Sequence, residues 1–208
     1  MKKILLIVET NWLESIALAQ DKSSFYLLDL ADTEKISIAI PEYSFYEADG
    51  SLYRKLLERV ERLDKSMGSL KKIGESEHCA DLCKEARDII KRLKTIAFDD
   101  RYKIQPVLDE LKTKVCVIPY TKDASLKAEL RFKSSKPPFK DEDCKILESI
   151  LEFVESERKK SEYDYIIFYT ADKEDFDFDL IRDELAEKGV EVIFDSSLCV
   201  RKILSIIP

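Results

Sequence analysis

The sequence predicts an α/β protein with a mostly parallel sheet, an expectation that rests on three observations. Short β-branched apolar runs recur along the chain, segments with helical apolar spacing separate them, and each run stops at an acid, a proline or a threonine. The first run, residues 3–8, ends at Glu9-Thr10-Asn11, and residues 12–19 then follow with helical spacing. The pattern returns at 36–40 before Pro41-Glu42, at 115–118 before Pro119, at 163–169 before Thr170, and at 190–194 before Asp195.

Between residues 51 and 112 the chain changes character. Lys, Arg and Glu crowd around Leu, Val and Ile at three- and four-residue intervals without any strand signal, which predicts a helical insertion within a single domain spanning 1–208. Met67-Gly68-Ser69 or Gly74-Glu75-Ser76 is expected to break it. Phe98-Asp99-Asp100 is expected to end the second long helix, with 104–111 a shorter one. Its charges read first as a solvated face with i,i+4 pairs, although Lys84, Arg87, Lys91, Arg92 and Lys94 are locally basic. Lys136-Pro137-Pro138-Phe139 is a stiff extended element. A helix with Asp141-Glu142-Asp143 in its first turn follows, the placement that the helix dipole favours.

With 45% apolar residues the chain can build a real core, and its apolar runs fall far short of the roughly 20 residues that span a bilayer. Glu9 interrupts the opening apolar run, so residues 3–8 read as a strand and not as a secretion signal. Five cysteines without repeated spacing argue against a disulfide framework and point to the cytoplasm. His78, Cys79 and Cys83 lie close together, yet there is no second histidine and no second Cys pair to complete a zinc site. They read as a helix carrying two small thiols. A net charge of −7 excludes a broad basic face, so any nucleic-acid contact must be local.

In a parallel α/β sheet, ligands bind beyond the carboxyl ends of the strands. Acids collect there: Glu9 after the first run, Glu42 after the second, Asp172 and Asp175 after the fourth, and Asp143 at the start of the preceding helix. Several carboxylates at one pole repel one another unless a hard cation neutralises them, which makes Mg²⁺ or Mn²⁺ the natural occupant. The ordinary alternative is that these acids cap helices.

Four segments in order then resemble the PIN-domain family: Glu9-Thr10-Asn11-Trp12, Ile40-Pro41-Glu42, Pro137-Pro138-Phe139-Lys140-Asp141-x-Asp143 with Ile146-Leu147-Glu148, and Thr170-Ala171-Asp172-x-x-Asp175-Phe176. Glu9 departs from the commoner Asp, and Asp172 stands where many relatives have Asn. The resemblance implies a three-layer α/β/α sandwich of strand order 3-2-1-4-5 and a metal-dependent ribonuclease. It implies Glu9, Glu42 and Asp143 as the main ligands, with Asp172 and Asp175 sharing the fourth role. Thr10, Asn11 and Thr170 are candidates for bracing ligands or for turn and capping chemistry. Asp141 is either a supporting acid or a helix cap. A toxin paired with an antitoxin, or a homodimer, would suit the family.

Arg131, Lys133, Lys136 and Lys140 form a stretch free of acids directly before the third motif, where an RNA backbone could be held. Phe132 and Phe139 offer faces for unpaired bases, with Phe139 expected first as a core residue. Two other classes compete: a PIN-like module that binds without cleaving, and a phosphatase. The phosphatase lacks both the Asp-x-Asp-x-Thr after the first strand and a glycine-rich phosphate loop.

Overall fold

A computed structural model describes residues 2–160 and 162–207. Among them, β1 (Ile4–Val8), β2 (Ser37–Pro41), β3 (Cys116–Ile118), β4 (Tyr165–Tyr169) and β5 (Val190–Ile193) form one five-stranded sheet of order β3-β2-β1-β4-β5. Every pairing is parallel, and β1 lies at the centre with Leu6 opposite Ile38 on one side and Ile167 on the other. All five residues of β1 are buried, which accounts for an unbroken apolar run where a half-exposed strand would alternate.

Helices cover both faces, giving the three-layer α/β/α sandwich. On one face, α6 (Asp141–Lys160) and α8 (Asp179–Glu187) set Ile146, Leu147, Ile150, Val154, Ile181 and Leu185 against Leu5, Ile7 and Phe168. The side chain of Leu6, between Leu5 and Ile7, points to the other face. The remaining cover comes from α1 (Thr10–Ala17), α2 (Lys22–Asp32) and α9 (Ser196–Ile206), which bury Trp12, Leu13, Leu27 and Ile203. Side-chain caps start several helices at the strand ends. Glu9, Asp21, Thr121, Asp172 and Asp195 each accept a backbone N–H of the first turn, at α1, α2, α5 (Lys122–Lys133), α7 (Lys173–Phe176) and α9 respectively.

The chain divides into two compact units, Met1–Ala48 with Leu108–Pro208, and Asp49–Val107. The second is a helical hairpin from α3 (Glu42–Ile73) and α4 (Ala80–Lys114). Residues 74–79 turn the chain, so the break falls at Gly74 and α3 runs straight through Met67-Gly68-Ser69. A Cβ on Gly74 would sit 3.1 Å from the Cβ of Cys83, so glycine permits the close approach there. Lys94–Asp64 at 2.5 Å and Arg59–Asp100 at 3.5 Å extend the same antiparallel pairing.

The expected stop at Phe98-Asp99-Asp100 is corrected: α4 continues through it and through Pro106. Asp100 is absorbed by Arg59 and Lys103, and buried Ile104, Leu108 and Leu111 hold the helix where Pro106 has no N–H to give.

Candidate active site

The carboxyl ends of β1 and β4 carry the acids nearest the sheet axis. Glu9 leaves β1 as the cap of α1, is nearly fully buried, and accepts on both oxygens: Oε2 from the backbone N–H of Asn11 at 2.8 Å, Oε1 from the Thr170 hydroxyl at 2.9 Å. The Thr170 oxygen accepts in turn from the N–H of Asp172 at 3.0 Å, and Asp172 accepts from the N–H of Asp175 at 3.0 Å. One chain of hydrogen bonds therefore ties the end of β1 to the turn after β4. Thr10, next along, donates its hydroxyl to Glu47.

Asp143, in the first turn of α6, is also buried. Burial, then the charges of Asp175, Glu47 and Asp172, push its carboxyl up to about 8, while Lys140 pulls it down. Burial likewise lifts Glu9 to about 7 against the hydrogen bonds from Asn11 and Thr170, with the Glu47 charge adding to the rise. Glu47 is raised too, by burial first, and feels Glu14, Glu142 and Lys140. These mutual effects place Glu9, Glu47, Asp143, Asp172 and Asp175 in one shared field.

Glu42 has partners of its own. Its Oε1 accepts from the Tyr46 hydroxyl and its Oε2 from the backbone N–H of Tyr120, each at 3.1 Å, so it ties the start of α3 to the exit of β3. The acid that α3 brings to Thr10 is Glu47, which the motif reading missed. Its signal was its position beside the apolar stripe Phe45, Ala48 and Leu52, all of which are buried. Asp141 pairs with Lys145 along α6.

Of the expected basic strip, Arg131 does not lie at the surface. Arg131 is buried, and its guanidinium binds Glu148 and Glu184 at 2.6 Å and the Pro137 carbonyl at 2.8 Å, which leaves it no face for RNA. Lys133 is exposed and pairs with Glu129, Lys136 is exposed, and Lys140 binds Asp175. Phe139 is not core: it is 54% exposed, with its ring edge-on to Phe178 at 5.3 Å. Phe132 is exposed as well.

The donors suit a hard divalent ion in kind, being carboxylate oxygens in a shared field that a cation would relieve. Among the described residues, however, no group of three or more His, Cys, Asp and Glu side chains is placed to hold an ion; this covers His78, Cys79 and Cys83 as well. Among those residues, too, no helix is long and apolar enough to cross a membrane.

No curated protein and no solved structure matches the chain. A family model described as PIN domain matches residues 6–176, from within β1 to the end of α7, and includes Glu9, Glu42, Glu47, Asp143, Asp172 and Asp175. The chain belongs to the PIN-domain family, and that membership supports a nuclease-type function.

Proposed function

We propose that the protein is a Mg²⁺- or Mn²⁺-dependent endoribonuclease whose acidic pole consists of Glu9, Glu47, Asp143, Asp172 and Asp175. The observation that carries this reading is the buried Asp143 carboxyl, raised to about 8 by burial and by three neighbouring acids. An acid held this far from its ordinary range, among like charges and beyond the strand ends, is poorly suited to a purely structural role. A divalent ion bound there would supply the charge that activates water and offsets the negative charge of the phosphate. The chain's own contribution is positional: Asn11 and Thr170 fix Glu9, Thr10 fixes Glu47, and the turn after β4 fixes Asp172.

The assignment separates two acids of one helix. Purified protein incubated with mixed RNA and Mn²⁺ should lose at least about 100-fold in cleavage rate as Glu47→Gln, the scale on which loss of a transition-state charge stabiliser acts. Glu42→Gln should keep most of the activity, since its carboxylate serves Tyr46 and Tyr120. Equal losses in the two would return Glu42 to the pole.

The raised carboxyls also fix a pH dependence. Unfolded Asp and Glu titrate near 4, so from about pH 4 to about 8 the native metal-free protein holds protons that the unfolded chain has lost. Stability contributed by these groups is full below the unfolded values and falls as pH rises through the native ones. A divalent ion needs the ionised forms, so the Mn²⁺-induced rise in melting temperature should be larger at pH 8 than at pH 6. The same rise at both values would remove these carboxyls from the ion's surroundings.

The second reading is a PIN-like module that binds without cleaving. It is favoured by the net charge of −7 and by the lack of a formed three-acid cage among the described residues. It predicts no Mn²⁺ effect on melting at either pH.

A further inference from the structure

The basic side chain that meets the acidic pole is Lys140. It closes the loop between α5 and α6, one residue before Asp141, and its ammonium bonds Oδ2 of Asp175 across 35 positions of sequence. The two side chains differ sharply in exposure, 60% for Lys140 against 8% for Asp175. A buried carboxylate is thus satisfied by an arm that lies mostly in water. The same ammonium is felt at Asp143, Asp172 and Glu47, acids on three separate elements.

Two other ion pairs show what this arrangement is not. Arg131 and Glu148 are both buried, and the planar guanidinium fork also engages Glu184 and Pro137, a joint made to stay in place. Lys160 and Glu157 have exposures like those of Lys140 and Asp175, but they are neighbours on one helix. Lys140 combines a compact charge on a flexible stem, a single bonded carboxylate, and a field of further acids. Its bond is easily given up to water, and a doubly charged ion in the same field outcompetes a single charge.

We propose that Lys140 is a tethered counter-ion of the pole: it holds Asp175 until a divalent cation displaces it, and the released ammonium then contacts a phosphate of the substrate. The proposal rests on the nuclease reading above. While it is bonded to the lysine, Asp175 is not free to turn toward an ion. The exchange keeps a positive charge beside Asp175 in both states, and it delivers one to the substrate side only when the ion is present.

The test is Mn²⁺ titration of the full chain by calorimetry, without RNA. If the lysine-paired state occupies about nine-tenths of the wild-type molecules, its removal tightens apparent binding about tenfold. Lys140→Met should therefore bind Mn²⁺ about tenfold more tightly than wild type. Lys140→Arg, which keeps the charge, should stay near wild type, and Lys160→Met, which removes a comparable lysine elsewhere, should change nothing. At saturating Mn²⁺, Lys140→Met should raise KM for RNA more than it lowers kcat. Wild type that binds Mn²⁺ no less tightly than Lys140→Met overturns the counter-ion role and leaves the nuclease reading standing. Wild type that binds no Mn²⁺ overturns both.

Discussion

Asp143→Asn is expected to reduce RNA cleavage at least about 100-fold and, in the absence of metal, to make the protein more resistant to the rise of pH from about 4 to about 8. The two effects have one cause. The carboxyl is buried among the charges of Asp175, Glu47 and Asp172, so ionising it without a cation is unfavourable, and that same ionised form is what a cation would need. Below about pH 4 the wild-type carboxyl is protonated in the folded and the unfolded chain alike and resembles the amide, so the two metal-free proteins should melt together there. The gap should open as pH rises from about 4 to about 8, with the variant higher, and stay level above that. Mn²⁺ should raise wild type and move the variant less. An Asp143 that merely stabilised the start of α6 would behave in the opposite way, with the variant melting lower at every pH because a favourable first-turn charge is lost. Melting curves across pH, with Mn²⁺ and with chelator, distinguish the two, and a variant that cleaves at the wild-type rate removes Asp143 from the chemistry.

Arg131→Met is expected to destabilise the fold by about 3–5 kcal/mol, the usual cost of removing one partner of a buried ion pair. Arg131 sits where α5, α6, α8 and the loop before α6 meet, and it satisfies Glu148, Glu184 and the Pro137 carbonyl together. Deleting it leaves Glu148 buried and unpaired. Adding Glu148→Gln to Arg131→Met should recover part of the loss, because the orphaned charge goes with it. Arg131→Lys should recover little, since one ammonium does not reproduce a fork bonded to three acceptors. Urea denaturation measures all three. An Arg131→Met protein with wild-type stability but weakened RNA binding would restore the surface role that the sequence had suggested.

These residues show what the sequence disclosed and what it withheld. The strands β1 and β4 were legible because a buried parallel strand is an unbroken apolar run, as at Ile4–Val8 and Tyr165–Tyr169. Glu9, Asp143 and Asp172 were legible as acids at strand ends and helix starts, positions that chain order alone defines. Glu47 was not, because choosing between acids five residues apart on α3 requires knowing which face of that helix meets α1. The Thr10 contact to Glu47 settles it, and that contact joins residues 37 apart. Arg131 and Lys140 read alike as basic residues in a stretch without acids. Their partners, Glu148, Glu184 and Asp175, come from α6, α8 and α7, and only tertiary packing makes one a buried joint and the other an exposed arm.

The strand order has a consequence for synthesis. The central strand is the first one made, and its β4 neighbour pairs Val8 with Tyr169 only after some 160 further residues have been added. The hydroxyl that fixes Glu9 belongs to Thr170, and the turn that supplies Asp172 and Asp175 comes directly after it. A growing chain halted between α6 and β4 holds Glu9, Glu47 and Asp143 but lacks the Thr170 hydroxyl and the turn that supplies Asp172 and Asp175. The turn that completes the acidic pole is therefore made after every other element that supplies an acid to it.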